Sequence, residues 1–133
     1  MSVFSWPARV YWEDTDGGGI VYYANYLRFL ERSRTEWLRS FGYSQQALAR
    51  EPGVLFAVVS ITVDYHRPAR LDDELAVTCE PSADGMVAIR FAQRILRADE
   101  QKPLVTAQVR VACVDAQTLR PRKLPESLLN LLQ

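Results

Sequence analysis

At 133 residues the chain is long enough for one domain with a core of its own and hardly long enough for two. Lys plus Arg equals Asp plus Glu at 16 each, which argues against a nucleic-acid partner, and no apolar run reaches the roughly 18–20 residues of a membrane span. The N-terminus lacks the basic start and apolar core of a signal peptide, and Cys79 and Cys113 sit in apolar runs as buried free thiols would, so a cytoplasmic location is expected.

A short strand is predicted from Trp6 to Trp12, with Ala8, Val10 and Trp12 on one side. Glycines end it. From Tyr22 to Phe41 the period becomes helical: Tyr26, Phe29, Leu30, Ser33, Trp37, Leu38 and Phe41 form one stripe, and Gly42 is placed as the stop. Tyr43–Gly53 is a connection with a further helical turn at Ser44–Leu48. Val54–Arg67 alternates, with Leu55, Ala57, Val59, Ile61, Val63 and Tyr65 on one face. A turn at Pro68–Asp72 leads to a strand over Glu74–Glu80. Asp84-Gly85 is a hairpin signal before a strand over Met86–Arg97. Leu104–Asp115 is the last strand, and Pro125–Leu132 a short closing helix with Pro at its first position. Short turns imply antiparallel neighbours, one helix covers one face, and the open edges predict a homodimer or larger assembly.

The chemistry gathers at Glu13-Asp14-Thr15-Asp16-Gly17-Gly18-Gly19, directly ahead of the long helix. Glycine lets the backbone approach a ligand closely, and a helix start offers unpaired N–H groups with partial positive charge. A carboxylate opposite such donors is equipped to attack a carbonyl and stabilise the oxyanion. Taken alone, Asp16 reads as a turn or capping residue before it reads as a catalytic one, since Asp is common ahead of a helix. Calcium binding is a weaker reading of the loop, because Asn25 stands where an EF-hand needs a bidentate Glu. His66 is the only histidine and reads as a strand-end surface residue, which leaves no His-pair metal site.

Residues 11–26, with Glu31-Arg32-Ser33-Arg34-Thr35-Glu36 after them, resemble the hotdog-fold acyl-CoA thioesterases, in the 4-hydroxybenzoyl-CoA thioesterase branch and the YbgC branch linked to the Tol–Pal envelope system. YbgC-like segments continue at 44–48, 67–73, 93–95 and 120–122, so the likeness spans nearly the whole chain. It implies a single hotdog thioesterase domain over 1–133 of α+β class: a five-stranded antiparallel sheet wrapped around one long central helix, paired into homodimers or homotetramers with the active site between subunits. It further implies Asp16 as the catalytic carboxylate and the Tyr23 backbone N–H as oxyanion donor. YbgC-type members often carry His at the Tyr23 position, and a backbone donor is indifferent to that change.

The resulting expectation is hydrolysis of an acyl-CoA thioester without cofactor or metal, since a thiolate leaves readily. Asp16 acts as nucleophile or general base. Gly18 and Gly19 admit the acyl carbonyl, Tyr26 lies near the substrate, and Arg120 and Arg122 contact the phosphates of coenzyme A, with Arg67 and Arg70 as weaker candidates of the same kind. Acyl carrier protein is a further partner. A non-catalytic hotdog module that binds acyl-CoA or acyl carrier protein is the alternative. A hotdog dehydratase is a third option, but its usual histidine has no counterpart near Asp16.

Overall fold

The computed structural model describes residues 3–133; Met1 and Ser2, part of the N-terminal stretch read for a signal peptide, lie outside them. The first strand, β1, runs Phe4–Arg9 and stops short of the expected Trp12. Local polar bonds end it. The Asp14 carboxylate accepts from the Tyr11 N–H at 2.8 Å, and Thr15 Oγ1 donates to the Trp12 carbonyl at 2.7 Å. These close a 3-10 turn over Trp12–Asp14, and Trp12, expected on the packed side of a strand, is 75% exposed.

The long helix begins as a 3-10 turn at Tyr23–Asn25 and continues as α1, Tyr26–Arg39. Gly42, with φ of +87°, stops it as expected, because a left-handed residue there favours glycine. The stripe is buried from Tyr26 through Leu38. Phe41 lies beyond the last turn and is 49% exposed, so it leaves the stripe. A short helix α2, Gln45–Arg50, is capped by Ser44 Oγ accepting from Ala47 N.

The remaining strands are β2 (Val54–Tyr65), β3 (Glu74–Asp84), β4 (Ala88–Arg97) and β5 (Val105–Asp115), and α3 (Glu126–Leu131) follows with Pro125 as its cap rather than its first residue. They form one five-stranded antiparallel sheet ordered β1-β3-β4-β5-β2. The helix lies across its apolar face, where Leu75, Val77, Ile89, Phe91, Ile95, Val109 and Val111 are buried. Ser33 Oγ fastens α1 to the Val77 carbonyl at 2.8 Å. The sheet wrapped around one long helix is the architecture that the resemblance implies. Among the described residues no helix is long and apolar enough to cross a membrane.

Two further strands differ from expectation. In β2 the register slips between Val58 and Ser60, so Val59 is a bulge. Phe56 and Val58 therefore share a face with Ile61, Val63 and Tyr65, while Leu55 and Ala57 turn to the other side. β3 continues to Asp84 rather than Glu80. Pro81 is tolerated because β1 pairs no further than Cys79, so the missing N–H interrupts no ladder on that side.

One polar residue sits in the core beneath α1. Gln93 is buried on the inner face of β4; its Nε2 donates to the Leu30 and Thr78 carbonyls, and its Oε1 accepts from Arg34 at 3.0 Å. Burial pulls the Arg34 guanidinium below its ordinary pKa, against the opposing pull of Glu31. Gln93→Leu should fill the volume yet strip that guanidinium of its acceptor, costing about 2–3 kcal/mol in urea unfolding. An unchanged midpoint would show that the pair contributes nothing. Cys79 and Cys113 are free and buried, and burial pushes the Cys79 thiol up to about 12, which leaves it inert.

Candidate active site

The carboxylate loop is a small folded unit. Asp16 N donates to the Ile20 carbonyl at 3.0 Å and Tyr22 N to the Asp14 carbonyl at 2.9 Å, on either side of a bridge between Thr15 and Val21. Asn25 Nδ2 donates to the same Asp14 carbonyl at 3.0 Å, which ties the loop to the helix start. Behind it runs the crossover from β2 to β3. Val21 N bonds Ala69 O, Leu71 N bonds Gly19 O, and Asp72 N bonds Val10 O. Arg97 braces that crossover through Asp73 at 2.9 Å and the Pro68 carbonyl at 2.8 Å. Three separate stretches of chain thus fix one exposed loop.

Within it, Asp16 is exposed and its Oδ1 accepts from the Gly18 N–H at 2.9 Å. No described residue bonds its other oxygen. A Cβ on Gly18 would stand 3.3 Å from that Oδ1, so a side chain there would push the carboxylate back by a few tenths of an ångström. Gly19 has open space around it but a φ of +80°, so there the backbone and not crowding calls for glycine. At the other arm of the loop the N–H groups of Tyr23 and Ala24 have no acceptor among the described residues. A carboxylate oxygen and free donors therefore share one hydrogen-bonded loop at the head of the longest helix, an arrangement suited to acyl transfer.

The other expected residues separate. Tyr26 is only 3% exposed and its hydroxyl accepts from Ala69 N at 2.9 Å, so it acts as a strut beneath the loop. Arg122 is engaged with the Gly53 carbonyl and with Asp115, at the Val54 end of β2. Arg120 precedes it at that same end, whereas Tyr65, at the far end of β2, reaches the Tyr23 carbonyl. Arg67 is spent on Glu100 and the Lys102 carbonyl. Arg70, ranked below Arg120 and Arg122 on sequence, is bridged through its backbone to Ile20 and so lies beside the glycines. His66 bonds Thr106 at the strand end. The EF-hand reading is set aside, because Asp14 turns back to Tyr11 and Asp16 forward to Gly18, each onto its own backbone.

Residues 10–132 match the thioesterase-like superfamily. Fold and loop together define a hotdog thioesterase, and the chain belongs to that superfamily, in its YbgC group; it is a thioester hydrolase. It is 49% identical to the acyl-CoA thioester hydrolase YbgC of Escherichia coli, covering 96% of this chain and 93% of that one. It is 45% identical to the acyl-CoA thioesterase YbgC of Haemophilus influenzae, over 94% and 90%. Among solved structures, a probable thioesterase from Bartonella henselae superposes with a TM-score of 0.87 at 35% identity, over 93% of this chain and all of that one.

Proposed function

We propose that this protein hydrolyses acyl-CoA thioesters with Asp16 as nucleophile or general base and the Tyr23 N–H as oxyanion donor. The unpartnered N–H on the same stitched loop as the carboxylate is the observation that carries this reading. By the nucleophilic route, an Asp16 oxygen bonds to the acyl carbon and the carbonyl oxygen becomes an oxyanion held by Tyr23. The C–S bond then breaks, coenzyme A leaves as thiolate, and water cleaves the mixed anhydride to free acid. By the base route, Asp16 takes a proton from the water that attacks. Loss of one such donor raises the barrier by about 3–4 kcal/mol. We place the enzyme in the cytoplasm, where its two buried thiols stay reduced. The test is thiol release from a panel of acyl-CoA esters, and of acyl carrier protein carrying the same groups, by wild type and Asp16→Asn side by side. Tight binding with no thiol release from any donor would replace catalysis by a binding module.

The assembly we propose is a homodimer, or a homotetramer of such dimers, joined along β2. Among the described residues this strand pairs only with β5, and Val59 and Ile61 stand exposed on it. Its 12 residues span about 40 Å at about 3.3 Å each. Antiparallel pairing with a second copy sets the Val54 end of one strand beside the Tyr65 end of the other, and so carries Arg120 of the partner subunit towards the Asp16 loop. Arg70 reaches the same region from within the subunit. Arg70→Ala should raise KM for acyl-CoA about three- to tenfold with kcat little changed, as loss of a phosphate contact does. An unaltered KM removes Arg70 from the binding site.

A further inference from the structure

We infer that Tyr65 is a positioning residue for the oxyanion donors at the head of α1, an inference that rests on the role proposed for Tyr23. Its hydroxyl donates to the Tyr23 carbonyl at 3.1 Å. Its ring stands edge-on to that of Tyr23, with centroids 6.4 Å apart, and tilts against Tyr26 at 5.5 Å. Tyr26 is itself anchored to Ala69. On the preceding side, Asn25 N donates to the Tyr22 carbonyl at 2.8 Å. Residue 23 is therefore held at its carbonyl from the sheet and at the preceding carbonyl from the helix. Between these two grips its N–H is left free.

Two consequences follow from this geometry. An oxyanion donor works only if it already points where charge develops, so any rotation about residue 23 weakens it. A hydrogen bond to the Tyr23 carbonyl also polarises the Tyr23–Ala24 peptide, whose own N–H is the second unpartnered donor. Packing alone does not call for the hydroxyl. Tyr65 is 47% exposed on an edge strand, and phenylalanine would give the same ring contacts. Burial first, and Tyr23 second, raise the pKa of the Tyr65 phenol, so the group stays protonated and donating at neutral pH.

Tyr65→Phe tests this with the ring kept. On the acyl-CoA ester that wild type turns over best, kcat should fall about three- to tenfold while KM stays within about twofold. The melting temperature should hardly move. Tyr65→Leu, which loses the ring as well, should be slower still. An unchanged kcat in Tyr65→Phe, or a fall matched by a rise in KM and a drop in melting temperature, overturns the inference. Asp16→Asn measured alongside separates the two claims. If it keeps full turnover while Tyr65→Phe loses kcat, the carboxylate's role falls and the tether stands. If it is inactive while Tyr65→Phe is normal, the tether alone falls.

Discussion

Asp16→Asn should lower kcat for thioester hydrolysis by about a thousandfold, within the range for removal of a catalytic acid–base group, while leaving the fold intact. The reasoning starts from the loop. Asparagine keeps an oxygen that accepts the Gly18 N–H, so the turn that aims the side chain persists. It loses the negative charge, and with it both routes: an amide oxygen neither forms the anhydride nor takes a proton from water. KM should change little, because the exposed carboxylate contributes to the transition state more than to the bound ester. The unfolding midpoint should match wild type within a degree or so, since surface changes of this kind move stability by about 0.5 kcal/mol or less. The substitution creates an Asn-Gly pair, a sequence that deamidates, so fresh protein is needed. Activity that returns on storage would itself report the restored carboxylate. Asp16→Ala supplies the control free of that chemistry. Full turnover in both variants would take Asp16 out of the mechanism.

The parts of this architecture that sequence makes visible are those in which one local period governs many residues. The α1 stripe from Tyr26 to Leu38 repeats at helical spacing, and Gly42 marks its end, because side-chain direction follows directly from chain position. Residues 89–95 of β4, Gln93 apart, and residues 105–111 of β5 alternate for the same reason. Val54–Val59 is apolar at every position, so nothing local fixes the phase, and the bulge at Val59 is settled only by pairing with β5. The turn at Trp12–Asp14 was hidden because an apolar–polar alternation there coincides with side chains that bond their own backbone. Gln93 occupies an inward position where alternation predicts an apolar residue, and the signal available was its misfit in that alternation.

The site divides along the same line. Asp16, Gly18 and Gly19 are neighbours in sequence and form one loop, so composition pointed to them. Arg70 and Tyr65 join through the crossover between β2 and β3, which passes behind the loop because β2 and β3 are not adjacent in the sheet. No local pattern encodes that route. Arg120 and Arg122, close in sequence and basic, drew attention by their spacing, but the fold sets them at the opposite end of β2 and engages Arg122 internally.

That separation makes the assembly testable through activity. Lysines at Val59 and Ile61 together should yield a folded monomer with thiol release reduced about a hundredfold, the cost typical of losing the alignment of a reacting group. Both residues are exposed, at 51% and 38%, on the strand that among the described residues pairs with β5 alone; Ile61 shares a face of β2 with Val63, so the fold of the variant is checked alongside its mass. In an edge-to-edge dimer the two β2 strands would bring these lysines together across the twofold axis, where like charges oppose pairing. Light scattering reads the mass, circular dichroism the fold, and thiol release the consequence. A variant that remains dimeric would show that β2 is not the joining edge. A monomer with full activity would show that one subunit holds a complete site, and Arg120 would then have no part in it. Loss of mass and turnover together, with the spectrum unchanged, is the expected result, because within one subunit the carboxylate loop and the Arg120 cluster lie a whole strand apart.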